Sequence, residues 1–250
     1  MSQLSSDNWI ICLHRAGLDN TRRALASFLE QDIPVKVMIP DRESTDGFSQ
    51  WARAKYPDGN VTILWDRHDS VAGAWNRALS LVLGKFRCSH ALVVNNDVEL
   101  RPDTYRHLLA DGRGFVTAVG VKDRQQMESV NPASWRPHPD FSCFLIRDWV
   151  WKKAGPFDEG YLIAFYEDNS YHCRLHRLGI EAVSLSVPYY HIGSGTLAEV
   201  SEAEAEKIRE QADRNKARFK AEWGFTSEDP AYDEYFKQTF ALPSQVTGKP

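Results

Sequence analysis

Four short apolar runs, Trp9–Leu13, Val35–Ile39, Val61–Trp65 and Ala91–Val94, alternate with stretches whose apolar residues recur at helical spacing, and this alternation restricts the fold more than any other feature. Between the first two runs, Asn20–Gln31 sets Leu25, Phe28 and Leu29 at helical spacing before Pro34 stops the pattern. After the second, the turn Ser44-Thr45-Asp46-Gly47 offers small polar residues to cap a helix bearing Phe48, Trp51 and Ala52. After the third, Val71–Leu83 carries Val71, Trp75, Leu79 and Val82 in the same rhythm. Strands alternating with helices imply a sheet with helices on both faces. The expected class is α/β, with a mostly parallel, twisted sheet.

Further along, the pattern predicts a short helix over Pro102–Leu109, a strand over Phe115–Val121 and a surface loop over the Pro- and Trp-bearing stretch Asn131–Pro139. A strand over Phe141–Ile146, a short helix over Asp148–Ala154 and a helix over Glu167–Leu178 follow, the last stopped by Gly179. A final strand covers Ala182–Val187 and gives way at Pro188. Ser201 and Glu204 form a capping box for a polar helix reaching about Trp223. Beyond Gly224 the tail is acidic and aromatic, suited to folding back as a lid or to forming an interface.

Length and composition narrow the function classes. The 250 residues suit one large domain, and a 42% hydrophobic and 26% charged composition is that of a globular protein with a real core. The net charge of -4 gives no overall attraction to nucleic acid or to an anionic membrane. Cys12, Cys88, Cys143 and Cys173 lack C-x-x-C spacing and sit in apolar segments, which reads as reduced thiols in a reducing compartment rather than as a zinc site. The start of the chain lacks the basic and apolar regions of a signal peptide, and no stretch approaches the roughly 20 apolar residues of a membrane span, so a cytoplasmic protein without an integral membrane segment is expected.

Open α/β sheets bind ligands beyond the carboxyl ends of their strands. Asn95-Asn96-Asp97 ends the run Ala91–Val94 there, and Asp41 ends the second strand in the same region. Neither G-x-G-x-x-G nor G-x-x-x-x-G-K-[ST] occurs, which excludes the usual dehydrogenase and P-loop devices. Glu167 and Asp168 fall in the first turn of their helix, and His191 follows the last strand.

Taken in order, these residues resemble the inverting family 2 glycosyltransferases of GT-A fold, in particular the rhamnosyltransferase-like branch. Ser27-Phe28-Leu29-Glu30-Gln31 is similar to the family's Ser-x-Leu-x-Gln helix, and Asp41 with Ser44-Thr45-Asp46-Gly47 looks like its D-x-x-S-T-D-G turn. Gly73–Ala78 resembles its G-x-x-x-N segment, and Asn95-Asn96-Asp97 its relaxed D-x-D. Gly155-Pro156-Phe157-Asp158-Glu159 resembles its Gly-x-Phe-Asp-Glu element, and Tyr166-Glu167-Asp168 with Arg174-Leu175 and Gly179 its E-D helix. Asn215, Phe219 and Trp223-Gly224 echo the ending N-x-x-x-F-x-x-x-W-G. Asn95 in place of a first Asp, and Ser170 in place of a second acid, are departures.

The resemblance implies a single GT-A domain over residues 1–224, with a nucleotide-sugar half at about 9–120, an acceptor half at about 121–195, a C-terminal helix at about 196–224, and a tail over 225–250. It implies Asp168 as general base beside Glu167, Asp97 and His191 as holders of Mn²⁺ or Mg²⁺, and Asp41, Asp46, Asn76, Arg77, Asn95 and Asn96 as donor contacts. The partners would be a nucleotide-diphosphate sugar and a hydroxyl acceptor, either a glycan or hydroxymethylated bases of DNA flipped from the duplex. Oligomeric state is open.

Plainer readings stand beside these. Asn95-Asn96-Asp97 and Ser44–Gly47 suit ordinary turns. Two acids in a first turn favour the helix dipole. His191 suits a core, as do Trp135 and Trp151. His172 and His176 lie four apart, but no Glu follows His172 as a zinc protease requires. A non-catalytic nucleotide-sugar or glycan binder is the alternative function, and a nucleotidyltransferase a third.

Overall fold

In Asn8–Cys12 (β1), successive side chains leave on opposite faces: Trp9 and Ile11 join one buried apolar cluster, Ile10 and Cys12 another. His90–Val94 (β4) repeats this with Ala91 and Val93 against Leu92 and Val94. Both strands are therefore covered on both sides, which is why they read as unbroken apolar runs.

The computed structural model describes residues 7–193 and 200–238. Within them, β1 is followed by α1 (Leu18–Leu29), β2 (Val35–Asp41), α2 (Phe48–Lys55), β3 (Val61–Trp65) and α3 (Val71–Leu79), the last continuing into a π-helical turn over Ser80–Lys85. After β4 come β5 (Val98–Glu99), α4 (Thr104–Ala110), β6 (Phe115–Val121), β7 (Asn131–Arg136), β8 (Cys143–Arg147) and α5 (Asp148–Ala154). The chain then forms α6 (Glu167–Arg177), β9 (Ala182–His191), α7 (Glu202–Trp223) and α8 (Pro230–Lys237).

The strands form one mixed sheet in the order β3-β2-β1-β4-β8-β6-β9-β5, with β7 also on β9. The β3-β2-β1-β4 portion is wholly parallel, with Ile11 opposite Met38 on one side and Val93 on the other. Strand order reverses across β1, and this switch point opens a crevice at the carboxyl ends of β1 and β4. Beyond β4 the sheet is mixed: β8 runs antiparallel to β4 and β6, while β6 and β9 pair in parallel. Trp75, Val150, Tyr171 and Leu175 bring α3, α5 and α6 onto one face. Leu25, Phe28, Phe48 and Tyr105 bring α1, α2 and α4 onto the other.

Two local readings are corrected. Asn131–Arg136 is an edge strand on β9 with an irregular register rather than a loop. Its side chains are largely exposed, so it lacks the apolar signature of a covered strand. β9 does not end at Val187: it runs through Pro188, which sits opposite Val119 just after a register shift in β6, where a missing N–H is tolerated. At the start of α2 the position before Phe48 is Gly47, at φ 83 and without a side chain, and the expected cap comes from the residue before it, Asp46 Oδ1 accepting from the Phe48 N–H at 3.1 Å.

Ser201 does cap α7, its Oγ accepting from the Glu204 N–H at 3.3 Å. The tail folds back as far as residue 238, because Tyr232 and Tyr235 of α8 join Phe219 and Phe225 in a third apolar cluster under α7. Residues 239–250 of the expected tail lie outside the described residues. Cys12, Cys88, Cys143 and Cys173 are all buried, and none is in a disulfide. Among the described residues no helix is long and apolar enough to cross a membrane.

Candidate active site

The β5–β9 ladder assembles one end of the site. Val98 pairs with His191, and the Ile192 N–H donates to the Asp97 carbonyl at 3.1 Å. That backbone pairing brings the His191 Nε2 to 3.4 Å from the Asp97 Oδ1. Asp97 is only 7% exposed, and a buried carboxylate needs a cationic neighbour or an ion to offset its lost hydration. Among the described residues no three ligand-type side chains cluster. Asp97 and His191 nevertheless fit Mn²⁺ or Mg²⁺ as a sparse pair, since such ions commonly complete their shell with phosphate oxygens and water.

The two asparagines before Asp97 differ in role. Asn96 turns inward, its Nδ2 donating at 3.0 Å to the Ala16 carbonyl and at 3.0 Å to Thr21 Oγ1, which ties the exit of β4 to the start of α1. Asn95 and Asn96 both line a cavity of about 910 Å³ that opens at the switch point.

Asp97, His191, Glu167 and Asp168 all line that cavity. The acid pair begins α6 after a turn in which Ile163, Phe165 and Tyr166 adopt φ of 59°, 76° and 74°. Left-handed backbone is unusual for residues with a Cβ, so three so close together hold strain beside the acids. Glu167 is buried, and its Oε2 has no hydrogen-bond partner among the described residues. Burial first and the Asp168 charge second push its pKa up to about 8. Asp168 is half-buried and its Oδ1 accepts from the Asn169 N–H at 2.7 Å. Desolvation raises its pKa too, with Asp140 adding to the shift. The dipole of α6 acts the other way, so desolvation wins at this helix start.

Donor-side candidates separate more sharply. Asp41 is 1% exposed and held by its own turn: Oδ1 accepts from the Ser44 N–H at 3.1 Å and Oδ2 from Ser49 Oγ. Its neighbours Pro40 and Arg42 line the cavity, whereas Asp41 does not. Asp46 bonds the Phe48 N–H at 3.1 Å and the buried His14 Nε2 at 3.2 Å, and borders an adjoining depression. Asn76 points away from the cavity. Its amide exchanges bonds with the Phe157 N–H and carbonyl at 2.8 and 2.9 Å and reaches Glu159 at 2.9 Å, pinning Gly155–Glu159 against α3. Arg77 bonds the Trp65 carbonyl and lies 3.3 Å from Asp66, also outside the cavity.

Three residues of the cavity were not singled out from the sequence, and a fourth residue was seen there only as part of a motif. Asp66, fully buried just after β3, lines the cavity beside His68 at 2.5 Å; its position beyond a parallel strand is the same signal that marked Asp41. Asp140 lines the wall near Asp168 and accepts from the Ser142 N–H at 3.0 Å. Phe165 presents a ring that is 48% exposed. Asn215, 1% exposed on α7, braces the turn before the acids. Asp140 and Phe165 have no local sequence signal for these positions, and Asn215 was visible only as the first residue of the N-x-x-x-F-x-x-x-W-G ending.

The chain is similar to known proteins in family and in fold. The model of glycosyl transferase family 2 matches residues 9–166. No curated protein sequence matches the chain. Among solved structures, a mannosyltransferase from Pyrobaculum calidifontis in complex with GDP-Man and Mn²⁺ superposes with TM-score 0.64 at 18% identity, over 94% of this chain and 70% of that one. TarS 1–349 of S. aureus gives 0.56 at 17% identity, over 92% and 77%. GalNAc-T7 with UDP, GalNAc and Mn²⁺ gives 0.60 at 12%, over 94% of this chain but 55% of that one. At these identities the likeness is one of fold.

Proposed function

Because the chain belongs to glycosyl transferase family 2, a family of sugar-transferring enzymes, we propose that it moves a sugar from a nucleotide-diphosphate donor to a hydroxyl acceptor with inversion at the anomeric carbon. The observation that carries this reading is the meeting of Asp97 and His191 with Glu167 and Asp168 in one cavity at the switch point. Structural neighbours captured with GDP-Man or UDP and Mn²⁺ support the donor class and the use of a divalent ion.

Asp97 and His191 would hold Mn²⁺ or Mg²⁺, which neutralises the charge that builds on the departing diphosphate. Arg15 and Arg42, on the same wall, add positive charge on the donor side. Asp168 takes the proton from the acceptor hydroxyl as its oxygen attacks the anomeric carbon on the face opposite the leaving phosphate. The C–O bond to the acceptor forms as that to the phosphate breaks, and one in-line displacement inverts the centre. Partial burial tunes Asp168 toward this task, since a base works best with a pKa near working pH. Phe165, on the cavity wall three residues before Asp168, gives the acceptor an apolar surface. With a net charge of -4, a glycan suits the protein better than DNA as the acceptor.

The direct test is donor breakdown by the purified protein across UDP-, GDP- and dTDP-sugars, with Mn²⁺ or with chelator, followed by an acceptor screen including hydroxymethylated DNA. Metal-dependent release of one nucleoside diphosphate with sugar transfer is expected. Donor binding without turnover under every acceptor would favour the non-catalytic binder.

A further inference from the structure

The turn that delivers Glu167-Asp168 is fastened on two sides. On the donor side, the Ile163 N–H donates to the Asp69 carbonyl at 2.6 Å and the Val71 N–H to the Ile163 carbonyl at 3.0 Å, which joins the turn to the start of α3. On the opposite side a single side chain does the work: Asn215 Nδ2 lies 2.9 Å from the Leu162 carbonyl, 2.9 Å from that of Ala164 and 3.1 Å from that of Phe165. Two N–H groups thus serve three carbonyls. Gln211 Nε2 donates to Asn215 Oδ1 at 2.9 Å, which fixes which end of the amide faces the turn.

These carbonyls belong to a segment that ordinary propensity would not leave in place. Ile163, Phe165 and Tyr166 are all left-handed, and such strained residues persist only where surrounding contacts over-determine them. Resting on the reading of Asp168 as base, we propose that Asn215 is a positioning residue for the reaction, holding the Leu162–Tyr166 turn so that Asp168 meets the acceptor hydroxyl. It touches neither substrate nor reacting atoms and acts through the turn's backbone. Asn215 is absent from the cavity wall, while Ile163, Ala164, Phe165, Glu167 and Asp168 are all on it.

The test compares wild type with Asn215→Ala and with the milder Asn215→Ser, which keeps one donor, in the full-length protein. The first readout is the carboxyl titration of Glu167 and Asp168 by NMR, which needs no donor. The groups facing this pair are each other, Asp140 and the α6 amides. Release of the turn lets water reach the acids, so their midpoints fall in Asn215→Ala and lie between in Asn215→Ser. The second readout is turnover with whichever of UDP-GlcNAc, GDP-mannose or another panel donor is cleaved. The expected result is a loss in kcat on the order of 10²-fold, with donor KM within about twofold. Unchanged midpoints overturn the inference, as does a loss of donor affinity in parallel with kcat, which marks a purely structural role. Turnover by Asp168→Asn would instead sink the base assignment while leaving the titration result to judge the clamp.

Discussion

Asp97 is buried and Asp168 partly so, and the proposed reaction gives the two carboxylates different uses. Asp97 faces an imidazole 3.4 Å away and suits an ion. Asp168 is desolvated, with the Asp140 charge nearby, and so holds its proton more readily than a free carboxyl. Asp168→Asn keeps the shape and removes the basicity: kcat should fall by about 10²–10⁴-fold, with donor affinity by calorimetry nearly intact. Wild-type turnover by that variant would end its assignment as base. Asp97→Ala should weaken donor binding in Mn²⁺ by at least about tenfold while leaving metal-free binding alone; an unchanged metal increment would count against the ion site. The sequence made these residues readable because they stand at element ends in a fixed order. It could not reveal that Asn76 is consumed in pinning Phe157, because which way a helix side chain faces depends on the loop packed against it.

Elements were legible where one covered face imposed a period and illegible where it did not. β1 to β4 and α1 to α6 follow their apolar rhythm closely. β5 has only two residues and exists because β9 pairs with it, and β7 has no covering layer to make it alternate. The tail aromatics were visible, but their destination was a matter of tertiary contact: Phe236 stacks on His172 with ring centres 3.9 Å apart, and Tyr232 Oη bonds Asn169 at 3.1 Å. α8 therefore braces the helix that carries the acids. A chain stopped after Gly224 loses the buried Tyr232 and Tyr235, an effect on the order of 5 kcal/mol. Its melting temperature should drop by at least about 10 °C, measured by circular dichroism; an unchanged melt would mean that α8 is dispensable.

For the whole molecule, the buried acid pair makes folding stability depend on pH. Glu167 has its folded pKa raised from 4.5 to about 8, so the native state keeps a proton that the unfolded chain releases. Stability from this group is full below about pH 4.5 and declines as pH rises toward 8. Glu167→Gln removes the ionisation, so its melting temperature relative to wild type should improve by roughly 10 °C between pH 5 and pH 8. A difference that does not vary with pH would contradict the burial argument. At this scale the α/β class and its crevice were readable from strand–helix alternation, while the antiparallel pairings of β8 depended on contacts far apart in sequence. The four cysteines have a practical consequence as well. With Cys12, Cys88, Cys143 and Cys173 all buried, and the Cys143 thiol pushed well above its usual range by burial, alkylating reagents find little native thiolate to attack. A cysteine introduced at Leu162, 45% exposed on the turn beside the cavity, would be the preferred site for a fluorescent probe, and its emission would give a direct optical signal of donor and acceptor arrival.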